Sequence, residues 1–338
     1  TIYTFVLKCA MLKHELAQIL KDQKQYLSTD KTHIRRLKIN HNSLKSTPGF
    51  VHIITGVRRS GKSTFLKSLL NKNTKQVQQY LHFDDPRLLN FQLEDFYTIE
   101  DICGPKTKYY YDELHEIKDW ERYIRQANER KIAFIITGSN ATMLSGELAT
   151  LLTGRHLSHE IFPFDHKEYC LYHKLKSSPS SVKKYLLDGG FPEFQKFKNP
   201  EILRQLLKDI IERDIIARYE IRDSFAFYQI AMHLVNNIAR PYTLRKLARS
   251  YGIGSVNTVS SYVKYLENAY LFFTVNKFDY SFKKQQVNEK KIYAIDTGFV
   301  LANSIKIQDD HGRLFENMIF LYLRQNFENV YYFKDKGE

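Results

Sequence analysis

Gly56-Val57-Arg58-Arg59-Ser60-Gly61-Lys62-Ser63 decides how this chain is read. The stretch fits the phosphate-loop pattern G-x-x-x-x-G-K-S/T at every fixed position. An apolar run, Phe50-Val51-His52-Ile53-Ile54-Thr55, precedes it, and a helix-like run, Thr64-Phe65-Leu66-Lys67-Ser68-Leu69-Leu70, follows. Strand, glycine loop and helix bring backbone N–H groups and a helix N-terminus around a triphosphate. Gly56, Arg58, Arg59, Ser60, Gly61, Lys62, Ser63 and Thr64 are therefore the expected nucleotide contacts. Lys62 suits the β and γ phosphates of ATP, and the Ser63 hydroxyl suits Mg²⁺.

The surrounding chain predicts an α/β fold. Strand candidates at 50–55, 78–83, 107–112, 132–137 and 157–162 alternate with helical patterns. That alternation predicts a phosphate-loop NTPase core, a parallel sheet with helices on both faces. A helical lid, a winged helix and an incomplete α/β tail are expected to follow. The expected boundaries are a helical arm at 1–45, the ATPase core at 46–175, the lid at 176–223, the winged helix at 224–280 and the tail at 281–338. Lys176-Ser177-Ser178-Pro179-Ser180-Ser181 reads as a turn or linker.

A phosphate loop needs an acidic partner to hold the metal from the opposite side and to orient a water. Tyr109-Tyr110-Tyr111-Asp112-Glu113 supplies one at the end of a β-prone run, the sheet edge where ligands of open α/β folds bind. Asp112 is expected to hold Mg²⁺ through water, and Glu113 to polarise the nucleophilic water. The plainer reading, an acidic helix start, loses weight beside the glycine loop. The next apolar run ends in Thr137-Gly138-Ser139-Asn140. Ser139 or Asn140 is the expected sensor of the γ-phosphate, and the sequence does not choose between them. Either residue also suits an N-cap.

Composition narrows the partners. The 338 residues carry 51 Lys and Arg against 37 Asp and Glu, a net charge of +14, which favours polyanions and nucleic acid first. Cys9, Cys103 and Cys170 form no C-x-x-C pair, so neither a disulfide framework nor a zinc site is expected, and the compartment is read as a reducing cytoplasm. No apolar run reaches the ~18 residues of a membrane helix. Thr1–Ala10 lacks a basic leader, and Met11 reads as a plausible start.

The ordered set of motifs carries a resemblance. The phosphate loop, Asp112-Glu113 with Asp119-Trp120-Glu121, Thr137-Gly138-Ser139-Asn140, Leu152-Thr153-Gly154-Arg155, Phe162-Pro163-Phe164 and Gly189-Gly190-Phe191-Pro192-Glu193 fall in one order. The chain resembles, from about Met11 onward, the archaeal and bacterial AAA-type ATPases with a C-terminal domain of unknown function, relatives of the signal-transduction ATPases. The resemblance implies that the sensor strand lies between the loop strand and the acidic strand. It implies that Arg155 acts as a finger or sensor toward phosphate, on its own or a neighbour's nucleotide; a surface arginine is the alternative. It also implies that Gly189-Gly190-Phe191-Pro192 forms a lid motif whose Pro192 packs near the base, with an ordinary interhelical turn as the alternative.

Thr243–Ile253 and Val256–Leu266 read as helix-turn-helix. Leu244, Leu247 and Ala248, then Val256, Val259, Val263 and Leu266, are the expected core face, and Gly252 permits the turn. Asn257, Ser260, Ser261 and Lys264 remain for a major groove, so residues 243–266 are the candidate for double-stranded DNA, or for a protein partner. The run Tyr270–Val275 reads as a wing. Farther on, Ile292–Ile295 and 329–333 read as strands and 314–325 as a helix, like the start of a restriction-endonuclease-like domain with Glu316 as its one matched acid. Three functions compete: an ATP-hydrolysing switch, a non-hydrolysing nucleotide-gated scaffold, and a nuclease completed by a further C-terminal segment. A homo-oligomer is compatible with each.

Overall fold

The computed structural model describes residues 10–26, 36–37, 44, 49–70, 77–104, 107–144, 152, 154–305 and 310–334. The chain divides into two units: one of residues up to Thr55 with Gly61–Ile161, the other of Gly56–Ser60 with Phe162 onward.

The first unit is built on five strands: β1 Val51–Thr55, β2 Gln78–His82, β3 Lys108–Asp112, β4 Ala133–Gly138 and β5 His156–Glu160. All pairings are parallel, in the order β2-β3-β4-β1-β5. The expected strands are present to within one or two residues, and β4 lies between β1 and β3. Parallel sheets bury both faces, so their strands read as continuous apolar runs. The tyrosine run shows this directly. Tyr109 and Tyr111 enter one core with Val51, Ile53, Phe96, Tyr123, Phe134 and Ile136. Tyr110 enters the other with Ile54, Phe65, Leu66, Tyr80 and Ile135. Phe96 stacks on Tyr123 with ring centroids 4.1 Å apart.

The helix Lys13–Tyr26 places Leu16, Ile19 and Leu20 in the first of these cores. Its Gln23 side chain accepts the His82 N–H at 2.7 Å and donates to the His82 carbonyl at 3.1 Å, pairing edge strand β2 as a further strand would.

The second unit is mostly helical. Pro179–Asp188, Pro192–Phe197 and Glu201–Asp209 lead into a π-helical turn, Ile210–Ile216. The expected linker 176–181 is in part a helix start: Ser178 caps Ser181 N–H and Pro179 takes the first helical position, where a missing N–H costs nothing. Helices Ser224–Asn236, Leu244–Ser250 and Val256–Asn268 precede a three-stranded antiparallel sheet, β6 Pro241–Tyr242, β8 Lys290–Ala294 and β7 Phe272–Asn276 in that order. Its strands fall on both sides of residue 280. Helix His311–Arg324 follows. The strand expected at 329–333 is reduced to one bridge, Lys277 with Tyr332, because the segment meets only the end of β7. No helix among the described residues is long and apolar enough to cross a membrane.

Gly189 and Gly190 sit where three backbone segments meet. Gly189 has φ +68°, and a Cβ there would lie 2.1 Å from Asp296 Oδ1. A Cβ on Gly190 would lie 2.0 Å from the Phe164 carbonyl oxygen. Gly190 N–H donates to Asp296 Oδ2 at 2.6 Å, and Phe164 N–H donates to the Gly190 carbonyl at 2.8 Å. The glycine pair therefore clasps the joint between helices 179–188 and 192–197 to the turn after β8, and Pro192 starts the next helix as its N1 residue.

Candidate nucleotide site

The phosphate loop leaves β1 at Gly56, whose φ of +146° suits glycine, and turns at Gly61, φ +97°, into helix Lys62–Ser68. Ser60 Oγ is buried and makes no hydrogen bond within the protein. Lys62 is buried, Ser63 half-buried and Thr64 exposed. Gly56–Ser60 take their contacts in the second unit, where Arg58 Nη1 bonds Asp214 at 3.0 Å and Arg59 Nη1 bonds Glu193 at 2.8 Å.

Asp112 ends β3 fully buried. Thr137 Oγ1 donates to its Oδ1 at 2.5 Å and Tyr80 OH to its Oδ2 at 2.7 Å, while His82 Nδ1 lies 3.4 Å from Oδ2. Burial pushes the carboxyl up. The neighbouring His82 imidazole, with the Thr137 and Tyr80 hydroxyls, outweighs burial and holds Asp112 below the usual carboxylate range. Burial likewise opposes charge on His82, and Asp112 raises it on balance. The direction of the Asp112 shift favours its charged form, which the metal role requires.

Glu113 follows in the left-handed region at φ +53°, a conformation that costs a non-glycine residue and needs support. Its N–H donates to Thr137 Oγ1 at 2.9 Å. Its Oε1 lies 3.6 Å from Lys62 Nζ, so the loop lysine and the expected base meet at one sheet edge.

The two sensor candidates separate here. Asn140 is buried and its Oδ1 accepts Thr142 N–H at 2.8 Å, the capping role. Ser139 Oγ instead meets His115 Nε2 at 3.3 Å, and His115 Nδ1 lies 3.3 Å from Glu113 Oε2. Arg155 is exposed and immediately precedes β5, with its carbonyl accepting from Val51 N–H at the start of β1. It therefore stands at the N-terminal end of the strands, whereas Thr55 and Asp112 close their C-terminal ends, one strand length of about 16 Å away at ~3.3 Å per residue.

Sequence reading missed Tyr80, His82, Thr137 and His115. Two of them had a signal in the sequence: Thr137 is next to Gly138-Ser139, and His115 completes Asp-Glu-Leu-His; Tyr80 and His82 had none, since they reach Asp112 through the pairing of β2 with β3.

In the second unit, Leu247, Ala248, Val259, Val263 and Leu266 are buried, whereas Val256 is 38% exposed because it opens its helix beside the Ser255 cap. Gly252 turns with φ +64°. Asn257, Ser260, Ser261 and Lys264 are exposed, as are Arg245, Lys246 and Arg249. Glu316 accepts from Lys291 Nζ at 3.0 Å and from Tyr293 OH at 2.7 Å. Asp335 and Glu338 lie outside the described residues. Among the described residues no group of three or more His, Cys, Asp or Glu is arranged to hold a metal ion.

Residues 49–170 match the AAA domain family, and residues 179–310 match a domain of unknown function (DUF8612). An uncharacterized protein of Methanocaldococcus jannaschii, MJ1544, is 30% identical over 322 residues, spanning 87% of this chain and 72% of that protein. The chain belongs to the AAA-type ATPases. An uncharacterized protein of Haemophilus influenzae is 28% identical over 302 residues, spanning 81% of this ATPase and 74% of its own length. Among solved structures, the ORC1 protein of Aeropyrum pernix in complex with DNA matches with TM-score 0.32 and 10% identity, over 91% of this chain and 96% of that one. The replication initiator DnaA bound to AMPPCP and single-stranded DNA matches with TM-score 0.33 and 14% identity, over 67% and 85%.

Proposed function

We propose that this AAA-type ATPase binds ATP with Mg²⁺, hydrolyses it slowly, and uses the cycle to switch the engagement of double-stranded DNA by residues 243–266. The observation that supports hydrolysis best is the meeting of Lys62 and Glu113, 3.6 Å apart, at the strand end that also carries the buried Asp112. Lys62 neutralises phosphate charge. Glu113 accepts a proton from the attacking water. The orphaned Ser60 hydroxyl leaves a donor for the phosphate chain.

The donor set fits Mg²⁺, which keeps several waters and takes one or two protein oxygens plus phosphate oxygens. Ser63 would hold it, and Asp112 would accept from its waters. Both Asp112 oxygens are already bonded, and His82 is the longest and most easily displaced partner. The metal supplies charge neutralisation at the phosphates. Arg155, remote from its own loop, serves a neighbouring copy in this reading, which makes the working form a homo-oligomer.

DNA is favoured over a protein partner because residues 243–266 contain no Asp or Glu while nine polar or basic side chains are exposed. Helices 244–250 and 256–268 with β6, β7 and β8 have the parts of a winged helix. The test is ATP turnover by the Glu113→Gln protein, with nucleotide affinity measured beside it. Unchanged turnover removes Glu113 from the mechanism and leaves the non-hydrolysing scaffold. The nuclease reading has less support, since Glu316 is committed to Lys291 and Tyr293.

A further inference from the structure

The ends of β3 and β4 are joined by two separate links. One is backbone-based: Thr137 Oγ1 accepts Glu113 N–H at 2.9 Å and donates to Asp112 at 2.5 Å. The other runs entirely through side chains, Ser139 to His115 to Glu113, with both steps at 3.3 Å. His115 is the common member of the second link, and its side chain is only 7% exposed. Its Nε2 also lies 3.3 Å from Glu116 Oε1, on the solvent side. Room for the ring depends on Gly138, where a Cβ would come within 3.2 Å of His115 Nδ1 and 1.9 Å of Met143 Sδ.

The two oxygens of Glu113 are thus held differently. Oε2 faces His115 and Oε1 faces Lys62. The approach of His115 Nδ1 to Glu113 Oε2 is an ion-pair contact, favourable with a protonated ring, and falls short of a hydrogen bond. When a phosphate chain draws Lys62 away, Oε1 is released for a water while Oε2 keeps its place beside His115. The ring's other nitrogen rests against Ser139, the residue at the tip of β4 that would meet a γ-phosphate. Asn140, spent on its cap, has no such connection.

We propose that His115 is a positioning residue for hydrolysis: it fixes the Glu113 carboxylate and transmits to it whether Ser139 is engaged by a γ-phosphate. This rests on the hydrolytic reading above, and the experiment separates the two. Steady-state ATP turnover and fluorescent-nucleotide affinity would be measured for the unaltered chain, Glu113→Gln, His115→Ala, His115→Gln, Ser139→Ala and the His115→Ala/Ser139→Ala pair. Loss of a positioning contact costs a part of the general-base contribution, so kcat should fall about tenfold in His115→Ala while KM and nucleotide affinity stay within about twofold. His115→Gln, which keeps a donor toward Glu113, should recover part of kcat. The paired variant should be no slower than its slower parent, since both members break one link. Normal kcat in His115→Ala alongside a dead Glu113→Gln overturns the proposal and leaves the hydrolytic reading standing. Equal loss of binding and turnover in both His115 variants, or independent multiplication of the two substitutions, also overturns it. No turnover by the unaltered chain, or normal turnover by Glu113→Gln, overturns the hydrolytic reading and this proposal with it.

Discussion

Gly190 gives its amide hydrogen to Asp296 Oδ2 at 2.6 Å, bridging 106 positions of sequence inside the second unit. Asp296 also caps helix Thr297–Asn303 through Phe299 N–H at 2.8 Å. One buried carboxylate therefore fixes the glycine turn and starts a helix. The backbone comes so close that Gly190 has no room for a methyl group. Gly190→Ala should destabilise the second unit by about 3 kcal/mol or more, because the nearest atoms are backbone and cannot swing aside. Chemical denaturation followed by far-UV dichroism reads this. A midpoint equal to that of the unaltered protein would show that the turn relaxes freely.

The same carboxylate makes stability depend on pH. Burial raises the Asp296 carboxyl from 3.8 to about 6, against the lowering effect of the Gly190, Phe299 and Gly298 amides. The folded protein then binds a proton that the unfolded chain releases between those two values. Its stabilisation is complete below pH 3.8 and is lost as the pH rises through about 6. Denaturation midpoints of the unaltered protein and of Asp296→Asn, the neutral isostere, should lie closest at the acid end of this window and diverge toward the alkaline end, where only the unaltered protein buries a charge. A difference that does not vary with pH would show that Asp296 keeps one charge state in the fold.

The glycine–proline motif shows where sequence reading stops. Gly189-Gly190-Phe191-Pro192 is visible as a tight turn, but the partner that demands two glycines, Asp296, is remote and has no periodic signal. The sheet was legible because each strand is an apolar run long enough to be buried on both faces, Tyr109-Tyr110-Tyr111 included. Lys62, Asp112 and Glu113 were legible because each sits at a strand end or glycine turn of fixed spacing. Tyr80 and His82 were not, because they reach Asp112 only through the lateral order β2-β3. For Arg155 the resemblance left a phosphate role and a surface role open, while its place at the N-terminal end of the strands follows only from the β1–β5 register.

Lys62 and Glu113 should separate binding from chemistry. Lys62 is buried against Glu113, and its loss removes the charge that meets the phosphates. Lys62→Ala should therefore weaken ATP affinity at least about tenfold, the scale of one charge-assisted contact of roughly 1.5–3 kcal/mol. Glu113→Gln keeps size and polarity but cannot take a proton. It should lower kcat by about 10²-fold or more with affinity nearly unchanged. Isothermal titration with ATP and a phosphate-release assay distinguish the two. Loss of affinity in Glu113→Gln would assign the glutamate to binding instead.

Double-stranded DNA should bind through the face that carries Arg249, Asn257 and Lys264, all exposed on helices 244–250 and 256–268. Arg249 and Lys264 suit phosphates, whose neutralisation releases counterions. Each of Arg249→Ala and Lys264→Ala should then weaken binding alike on every duplex and reduce the slope of log K against log salt by about one. Asn257 can read a base edge, where its loss costs about 1–3 kcal/mol on a preferred sequence and little elsewhere. Fluorescence anisotropy across a salt series, with and without ATP, measures both terms. A slope unaffected by either basic substitution would move the contact off this face and favour a protein partner for the helix pair.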